Sequence, residues 1–127
     1  MRKLGGPIVL PIAGLLLAGA GAAQAQGDPE RGAAVFAKCQ ACHAIDETEN
    51  GPGPHLVGIF GRAAGSVEGF RYSGALKDSG VVWEDDTMAA FLEDPKAFIP
   101  GNRMLAPGLD DEEIADLLAY LHAETGG

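Results

Sequence analysis

The sequence predicts an all-α protein in which short helices and glycine-rich loops wrap around a cofactor. Helix-start signals and one clear amphipathic stripe occur along the chain, whereas no run of four or more residues alternates like a half-buried strand. Between Glu47 and Gly80, eight glycines fall within 34 residues, so most of this segment cannot be regular helix or sheet. It nevertheless carries apolar residues such as Leu56, Phe60 and Tyr72, which need an apolar group to pack against.

Length and charge exclude several kinds of protein. The 127 residues allow one small domain. The 18 acidic residues outnumber the nine basic ones and give a formal net charge of −9. Because neutralising phosphates needs clustered lysine and arginine, such a chain is not expected to bind nucleic acid.

The N-terminus has the pattern of a secretory signal peptide. A basic pair at residues 2–3 precedes an apolar run over residues 8–18, and a small-x-small cleavage pattern ends at Ala25. Proline and glycines interrupt the run, which is too short for a stable membrane span. We therefore expect cleavage of residues 1–25, no stable membrane insertion, and export of residues 26–127 to the periplasm, where thiols are usually oxidised.

Two helices are predicted from their start and stop signals. Asp28 is an N-cap residue followed by Pro29, and this first helix is expected to run to about Lys38. The acidic sequence at residues 85–87 opens a second helix, and Pro95 is expected to stop it.

A third helix is predicted near the C-terminus. Asp110 and Glu113 form a capping-box-like start. The apolar stripe behind them consists of Ile114, Leu117, Leu118 and Leu121.

The only two cysteines lie in the sequence Cys39-Gln40-Ala41-Cys42-His43, which has three interpretations. A redox disulfide would belong in a thioredoxin-like βαβ context, which is absent. A zinc site would need further ligands, and His55 and His122 are the only other histidines. Covalent haem attachment uses two thiols and the adjacent histidine at this spacing. Export, the small apparent core and the glycine-rich segment favour haem.

A haem iron in an electron carrier usually has a second axial ligand. The candidates are Met88, Met104, His55 and His122. Met88 lies within a predicted helix and His122 in the last turn of another, where core packing and surface exposure are the ordinary explanations. His55 follows His43 too closely to cross the ring. Met104, an isolated apolar residue in a loop, is therefore the predicted ligand.

Further landmarks follow one another in order along the mature chain. They are Gly32 and Phe36, Gly53-Pro54, Phe60-Gly61-Arg62, Gly69-Phe70, Tyr72, Trp83, the segment from Pro95 to Met104, Gly108, Leu117 and Tyr120. With the haem motif among them, the chain from Gly27 to Ala123 resembles a class I c-type cytochrome of the mitochondrial and bacterial c2 kind.

The resemblance implies several roles. Gly32 is expected to let the first and last helices cross closely, with Phe36 packing near Leu117 and Tyr120. The carbonyl of Pro54 is expected to accept a hydrogen bond from the proximal histidine.

The same resemblance implies which residues bind the cofactor. Cys39 and Cys42 would form the thioether links, and His43 and Met104 would be the proximal and distal iron ligands. A further group, on the propionate side of the haem, comprises Tyr72, Trp83 and, less specifically, Arg62.

Three positions depart from the family pattern. Ala106 replaces a usual aromatic residue, Phe91 replaces a tyrosine that commonly hydrogen-bonds the methionine sulfur, and His55 replaces an asparagine. These differences leave the cofactor unchanged and bear on the reduction potential and on the strength of the Met104–iron bond.

The function implied is that of a monomeric single-electron carrier, not an enzyme, that shuttles electrons between respiratory or photosynthetic complexes. Lys38, Lys96 and Arg103 are expected to form a positive docking face for a redox protein partner. Two alternatives remain: a haem subunit of a larger redox complex, or a weakly methionine-ligated protein with peroxidase activity.

Overall fold

The computed structural model describes residues 27–126, so the predicted leader, residues 1–25, lies outside the described part of the chain. This part contains five α-helices and no strand, which confirms the all-α prediction. The helices are α1 (Pro29–Phe36), α2 (Gly74–Lys77), α3 (Asp85–Glu93), α4 (Pro95–Phe98) and α5 (Asp111–Thr125). Within residues 27–126, no helix combines the length and apolar character that crossing a membrane requires.

Helix α1 begins where the sequence predicts and ends slightly earlier. The Asp28 carboxylate accepts the backbone N–H of Glu30 at 2.7 Å, as an N-cap residue does. The helix ends at Phe36 instead of Lys38, because the N–H groups of Lys38 and Cys39 bond three residues back, that of Cys39 to Phe36 at 2.7 Å. These tighter turns continue the chain as far as Cys42.

Helix α3 begins as predicted, but the role of Pro95 differs from the expectation. The N–H of Glu84, the N-cap residue, donates to Thr87 Oγ1 at 2.9 Å. Pro95 ends α3 and also occupies the first turn of α4, where its fixed φ suits a helix start. The carboxylate of Asp94 accepts the Ala97 N–H at 3.2 Å and caps this new turn.

Helix α2 is a single turn inside the glycine-rich segment, and the sequence pattern did not predict it. Ser73 Oγ accepts the N–H of Leu76 at 3.1 Å and caps the turn. Four residues are too few to show a hydrophobic period, so only this cap could have indicated the helix.

Helix α5 crosses α1 closely, as expected. Asp110 and Glu113 form a reciprocal capping box, with bonds of 2.8 and 3.2 Å. At the crossing, a Cβ on Gly32 would overlap the backbone oxygen of Asp116 and lie 2.7 Å from Tyr120 Cβ. A glycine is therefore required here for the two helices to touch.

The buried core is thin and lies between the helices and the loops. Phe36 packs against Tyr120 with ring centroids 5.5 Å apart, and Leu117 belongs to the same cluster. An isolated antiparallel bridge, Ala63 to Val82, ties the glycine-rich segment to the residues before α3. The larger buried apolar residues are Val35, Phe36, Ile59, Trp83, Met88, Phe91, Ile99, Ile114, Leu117 and Leu121.

Candidate cofactor site

A cavity of about 420 Å³ lies between the helices and the glycine-rich segment. Its wall is mostly apolar, as is usual for a cofactor pocket. The core side chains therefore surround this cavity and do not pack only against one another. All six residues predicted to bind the cofactor or its metal contribute to the lining: Cys39, Cys42, His43, Tyr72, Trp83 and Met104.

Two neighbours determine the state of the His43 ring. Its Nδ1 lies 2.7 Å from the carbonyl oxygen of Pro54, and because a carbonyl can only accept, Nδ1 carries the proton. Burial, assisted by the charge of Arg62, lowers the pKa of His43, so the neutral ring is favoured. Nε2 then bears the lone pair, which is the form that binds a metal.

The two cysteines lie on the turns that follow α1, immediately before His43. The backbone N–H groups of Cys42 and His43 both bond the carbonyl of Cys39 at 3.0 Å, so the three side chains are arranged by one compact turn. Cys39 is half-buried and Cys42 is exposed, and no disulfide joins the two. Over residues 27–126, no three or more His, Cys, Asp or Glu side chains gather as a metal site.

The loop that carries Met104 is held by hydrogen bonds from side chains. The N–H of Met104 donates to Asn102 Oδ1 at 2.9 Å, and its carbonyl accepts Lys96 Nζ at 3.2 Å. The Asn102 amide, only 4% exposed, also donates to the carbonyls of Pro95 and Ile99, each at 2.8 Å. Sequence reasoning missed Asn102, although an asparagine in a Pro-Gly loop is a residue type that hydrogen-bonds nearby backbone.

The structure separates the other candidate ligands. Met88 lines the cavity but lies on α3 within the buried core. His55 is not among the lining residues, and its Nδ1 accepts the N–H of Val57 at 3.2 Å. His122 is also outside the lining and bonds Asp85 at 2.6 Å. Both histidines are therefore away from the site.

Three polar side chains of the wall have unused hydrogen-bonding or charge capacity. Half-buried Arg62 donates to the carbonyl of His55 at 2.8 Å and pairs with no carboxylate in the described chain. The Tyr72 hydroxyl accepts the Val67 N–H at 3.1 Å and keeps its own proton to donate. The indole N–H of Trp83, a residue only 8% exposed, has no hydrogen-bond partner within residues 27–126. Together they suit an anionic group.

The charges around the cavity contrast with those of the whole chain. Of the described residues in its lining, four are basic and none is acidic, although the chain has 18 acidic residues. Lys38 is paired with Glu113 at 3.1 Å, whereas Arg103 donates to a backbone carbonyl and keeps its net charge. The four basic lining residues are Lys38, Arg62, Arg71 and Arg103.

Comparison with known protein families identifies the family to which this chain belongs. The cytochrome c family model matches residues 29–124, nearly the whole described chain. The chain belongs to the cytochrome c family. It is a class I c-type cytochrome, a family of electron carriers, and its cofactor is a covalently bound haem c with iron, as the sequence predicted.

Relatives of this cytochrome support the assignment over most of its length. It is 41% identical over 124 residues to cytochrome c2 of Blastochloris viridis, covering 95% of this chain and 92% of the relative. Cytochrome c-554 of Methylosinus trichosporium is 45% identical over 104 residues, covering 80% and 79% of the two chains. Among solved structures, cytochrome cH from Methylobacterium extorquens superposes with a TM-score of 0.71 at 40% identity, covering 76% of this chain and 99% of that one.

The residues present fit a haem. The cavity is apolar where a porphyrin ring needs it to be, and two thiols, a neutral imidazole and a thioether contribute to its wall. The indole N–H, the hydroxyl and the guanidinium described above provide donors for carboxylate side groups.

Proposed function

We propose that this cytochrome is an exported single-electron carrier that shuttles electrons between respiratory or photosynthetic complexes. In this proposal, Cys39 and Cys42 hold the haem through thioether links, and His43 and Met104 are the axial iron ligands. The observation that carries the proposal is that one cavity gathers all four side chains, although Met104 is distant from the others in sequence.

The proximal side of the proposal rests on the orientation of His43. The bond from Nδ1 to Pro54 fixes the ring and leaves Nε2 as the donor atom. Such a bond also raises the basicity of the imidazole and strengthens it as a ligand.

The distal side rests on the difference between the two methionines of the wall. Met88 is 7% exposed and packs with the core on a helix, so its side chain already has an apolar environment. Met104 lies on a loop whose backbone is anchored, which presents the side chain to the cavity. A thioether is a weak, soft ligand that favours the reduced state.

The proposed carrier transfers one electron and neither makes nor breaks a bond in a substrate. When bound, the haem supplies an iron that changes oxidation state by one electron. With haem bound, His43 and Met104 would both ligate the iron and would leave no position for a substrate, so we propose a carrier and not an enzyme. Arg62, Tyr72 and Trp83 line the cavity and would supply hydrogen-bond donors to the propionates within an apolar wall.

The ligand assignment is tested by replacing each methionine. We expect Met104→Ala to abolish the far-red sulfur–iron charge-transfer band of the oxidised protein, because the sulfur is lost. Met88→Leu, the matched control, should retain the band and reduce only stability. The reduced pyridine haemochrome of both variants verifies that haem is attached. Loss of the band in the Met88 variant alone would contradict the assignment.

We further propose that the mouth of the cavity is the docking face. Of the three predicted docking residues, Lys38 has its charge balanced by Glu113. Lys96 bonds the carbonyls of Asn102 and Met104, at 2.7 and 3.2 Å, and therefore stays uncompensated beside the methionine loop. Arg103 and exposed Arg71 add to this positive face, which suits partners with an acidic surface.

The proposed site of action is the periplasm, after removal of residues 1–25. The mass of the purified mature protein tests cleavage after Ala25, and gel filtration tests whether it is a monomer. Co-elution with a larger complex would favour the alternative of a fixed subunit.

A further inference from the structure

The backbone of Met104 is held at both of its polar groups by side chains and not by regular structure. Its N–H donates to Asn102 Oδ1 at 2.9 Å, and its carbonyl accepts Lys96 Nζ at 3.2 Å. Lys96 also donates to the carbonyl of Asn102 at 2.7 Å. The side chains of Asn102 and Lys96 therefore hold the backbone at both Asn102 and Met104.

The orientation of the Asn102 amide is fixed by its other partners. Its Nδ2 donates to the carbonyls of Pro95 and Ile99, both at 2.8 Å, in a position that is 96% shielded from solvent. Turning the amide over would place Oδ1 against two carbonyls and the NH₂ against the N–H of Met104, so only one orientation satisfies all the groups. The loop is thereby tied to α4, a part of the folded scaffold.

Two residues near Met104 supply no hydrogen bond or anchor to it. Phe91, which lines the same cavity, has no hydroxyl to donate to it. The next residue along the chain, Leu105, is 94% exposed and does not anchor the loop on that side. The Met104 side chain packs against the core, and its backbone is held by the hydrogen bonds of Asn102 and Lys96.

We propose that Asn102 is a positioning residue for Met104, and that its three side-chain hydrogen bonds set how readily the sulfur leaves the iron. This inference rests on the proposed function, since it takes Met104 as the distal ligand. A tethered loop has few conformations to gain when the sulfur departs, so departure is unfavourable. A loop without these hydrogen bonds gains conformational entropy when the sulfur leaves the iron, so a competing ligand binds the iron more readily.

The test measures competition at the iron in the oxidised holoprotein. Imidazole is added to the wild type and to Asn102→Leu, which has a similar volume and no hydrogen-bonding groups, and its affinity is read from loss of the far-red band. We expect imidazole to bind about tenfold more tightly to the variant, the effect of losing one to two buried hydrogen bonds. Asn102→Thr, which keeps one hydroxyl for the loop, should lie between the two.

Asn50 provides a matched control on another loop. Its Oδ1 accepts the N–H of His55 at 3.1 Å and its Nδ2 donates to the carbonyl of Glu68 at 3.3 Å. We expect Asn50→Leu to lower thermal stability and to leave the imidazole affinity within twofold of wild type. A merely structural role for Asn102 would give the same pattern as this control.

The outcomes separate this inference from the function on which it rests. A wild type without the far-red band would show that Met104 is not the ligand, and the proposed ligation would fail first. A wild type with the band and an Asn102→Leu protein with unchanged imidazole affinity would overturn the positioning role alone. If Asn102→Leu does not assemble with haem, Asn102→Thr decides: wild-type affinity overturns the proposal and tighter imidazole binding supports it.

Discussion

At the scale of single residues, two neighbours fix the orientation of the ring of His43, the proposed proximal ligand. The carbonyl oxygen of Pro54 accepts a hydrogen bond from Nδ1–H, and Gly53 allows the ring to lie against the backbone. A Cβ on Gly53 would come within 2.5 Å of His43 Cε1 and 2.8 Å of Nδ1. A side chain at this position would therefore displace the ring from its hydrogen-bond acceptor.

Replacing Gly53 should change the reduction potential. In Gly53→Ala the bond from His43 to Pro54 weakens, the imidazole becomes a poorer donor, and the oxidised iron is stabilised less. We expect the potential to rise by about 40 mV, which corresponds to about 1 kcal/mol for one electron. Spectroelectrochemical titration measures it.

Gly51 is the control for this change. A Cβ there would meet only the carbonyl oxygen of Cys42, at 3.6 Å, an ordinary contact. Gly51→Ala should keep the wild-type potential, and an equal shift in both variants would show that the effect is not specific to the His43 ring.

At the scale of elements, the crossing of α1 and α5 carries both a steric and an electrostatic constraint. Asp116 of α5 is only 4% exposed and accepts the N–H of Asp28 at 2.8 Å and the Nε of Arg31 at 3.1 Å. The bond from Asp28, reinforced by Arg31, lowers the pKa of Asp116. One carboxylate thus ties α5 to the N-terminal end of α1.

This carboxylate should make stability depend on pH. Because the pKa of Asp116 is lower in the folded than in the unfolded chain, its ionised form stabilises the fold at neutral pH. That contribution is lost as the pH falls below about 4 and the folded-state carboxylate takes up a proton.

We therefore expect Asp116→Asn to lower the urea midpoint at pH 7 and to differ less from wild type as the pH falls below about 4. Exposed Glu47→Gln is the control and should follow the wild-type curve at all pH values. A destabilisation of Asp116→Asn that stays constant down to pH 3 would show that the charge is not responsible.

The steric constraint at the same crossing is tested by Gly32→Ala. The new methyl group would overlap the backbone oxygen of Asp116, which belongs to a helix and cannot turn away alone. We expect a loss of about 3 kcal/mol in the free energy of unfolding, measured with urea.

Gly74 is the matched control, because a Cβ there meets nothing within 4 Å. Gly74→Ala should be neutral or slightly stabilising, since alanine is the better helix former. Equal losses in the two variants would contradict the packing explanation.

At the scale of the whole molecule, charge is unevenly distributed. The net charge is −9, yet the cavity lining in the described chain holds four basic residues and no acidic one. Acidic residues lie elsewhere, as Glu84, Asp85 and Asp86 do at the start of α3. Such a distribution orients the molecule in the field of a partner before contact.

The electron-transfer rate to an acidic-faced oxidase domain should therefore fall as salt is raised. Arg71→Gln should reduce the rate at low salt by about two- to threefold, since one charge of the docking face is removed. Lys77→Gln removes a charge from an exposed lysine outside the cavity lining and should change the rate less. A rate that rises with salt would contradict the positive docking face.

Features that depend on interactions between residues near in sequence could be predicted, and features that depend on distant residues could not. The starts of α1 and α5 were predictable because Asp28 and Asp110 bond backbone groups two or three residues away. The two turns α2 and α4 were not, because helices of four residues show no period. Asn102 was missed because its importance depends on burial, which a sequence pattern does not show.

The sequence by itself determined the cofactor and the fold class, since Cys39, Cys42 and His43 lie within one turn and the apolar stripe of α5 repeats locally. Only the tertiary structure decided which distant groups meet. Met104 and His43 line the same cavity, and Lys38 forms an ion pair with Glu113. Helices α1 and α5 contact each other at Gly32. Local bonding is encoded in neighbouring residues, whereas these contacts depend on how the whole chain packs around one cavity.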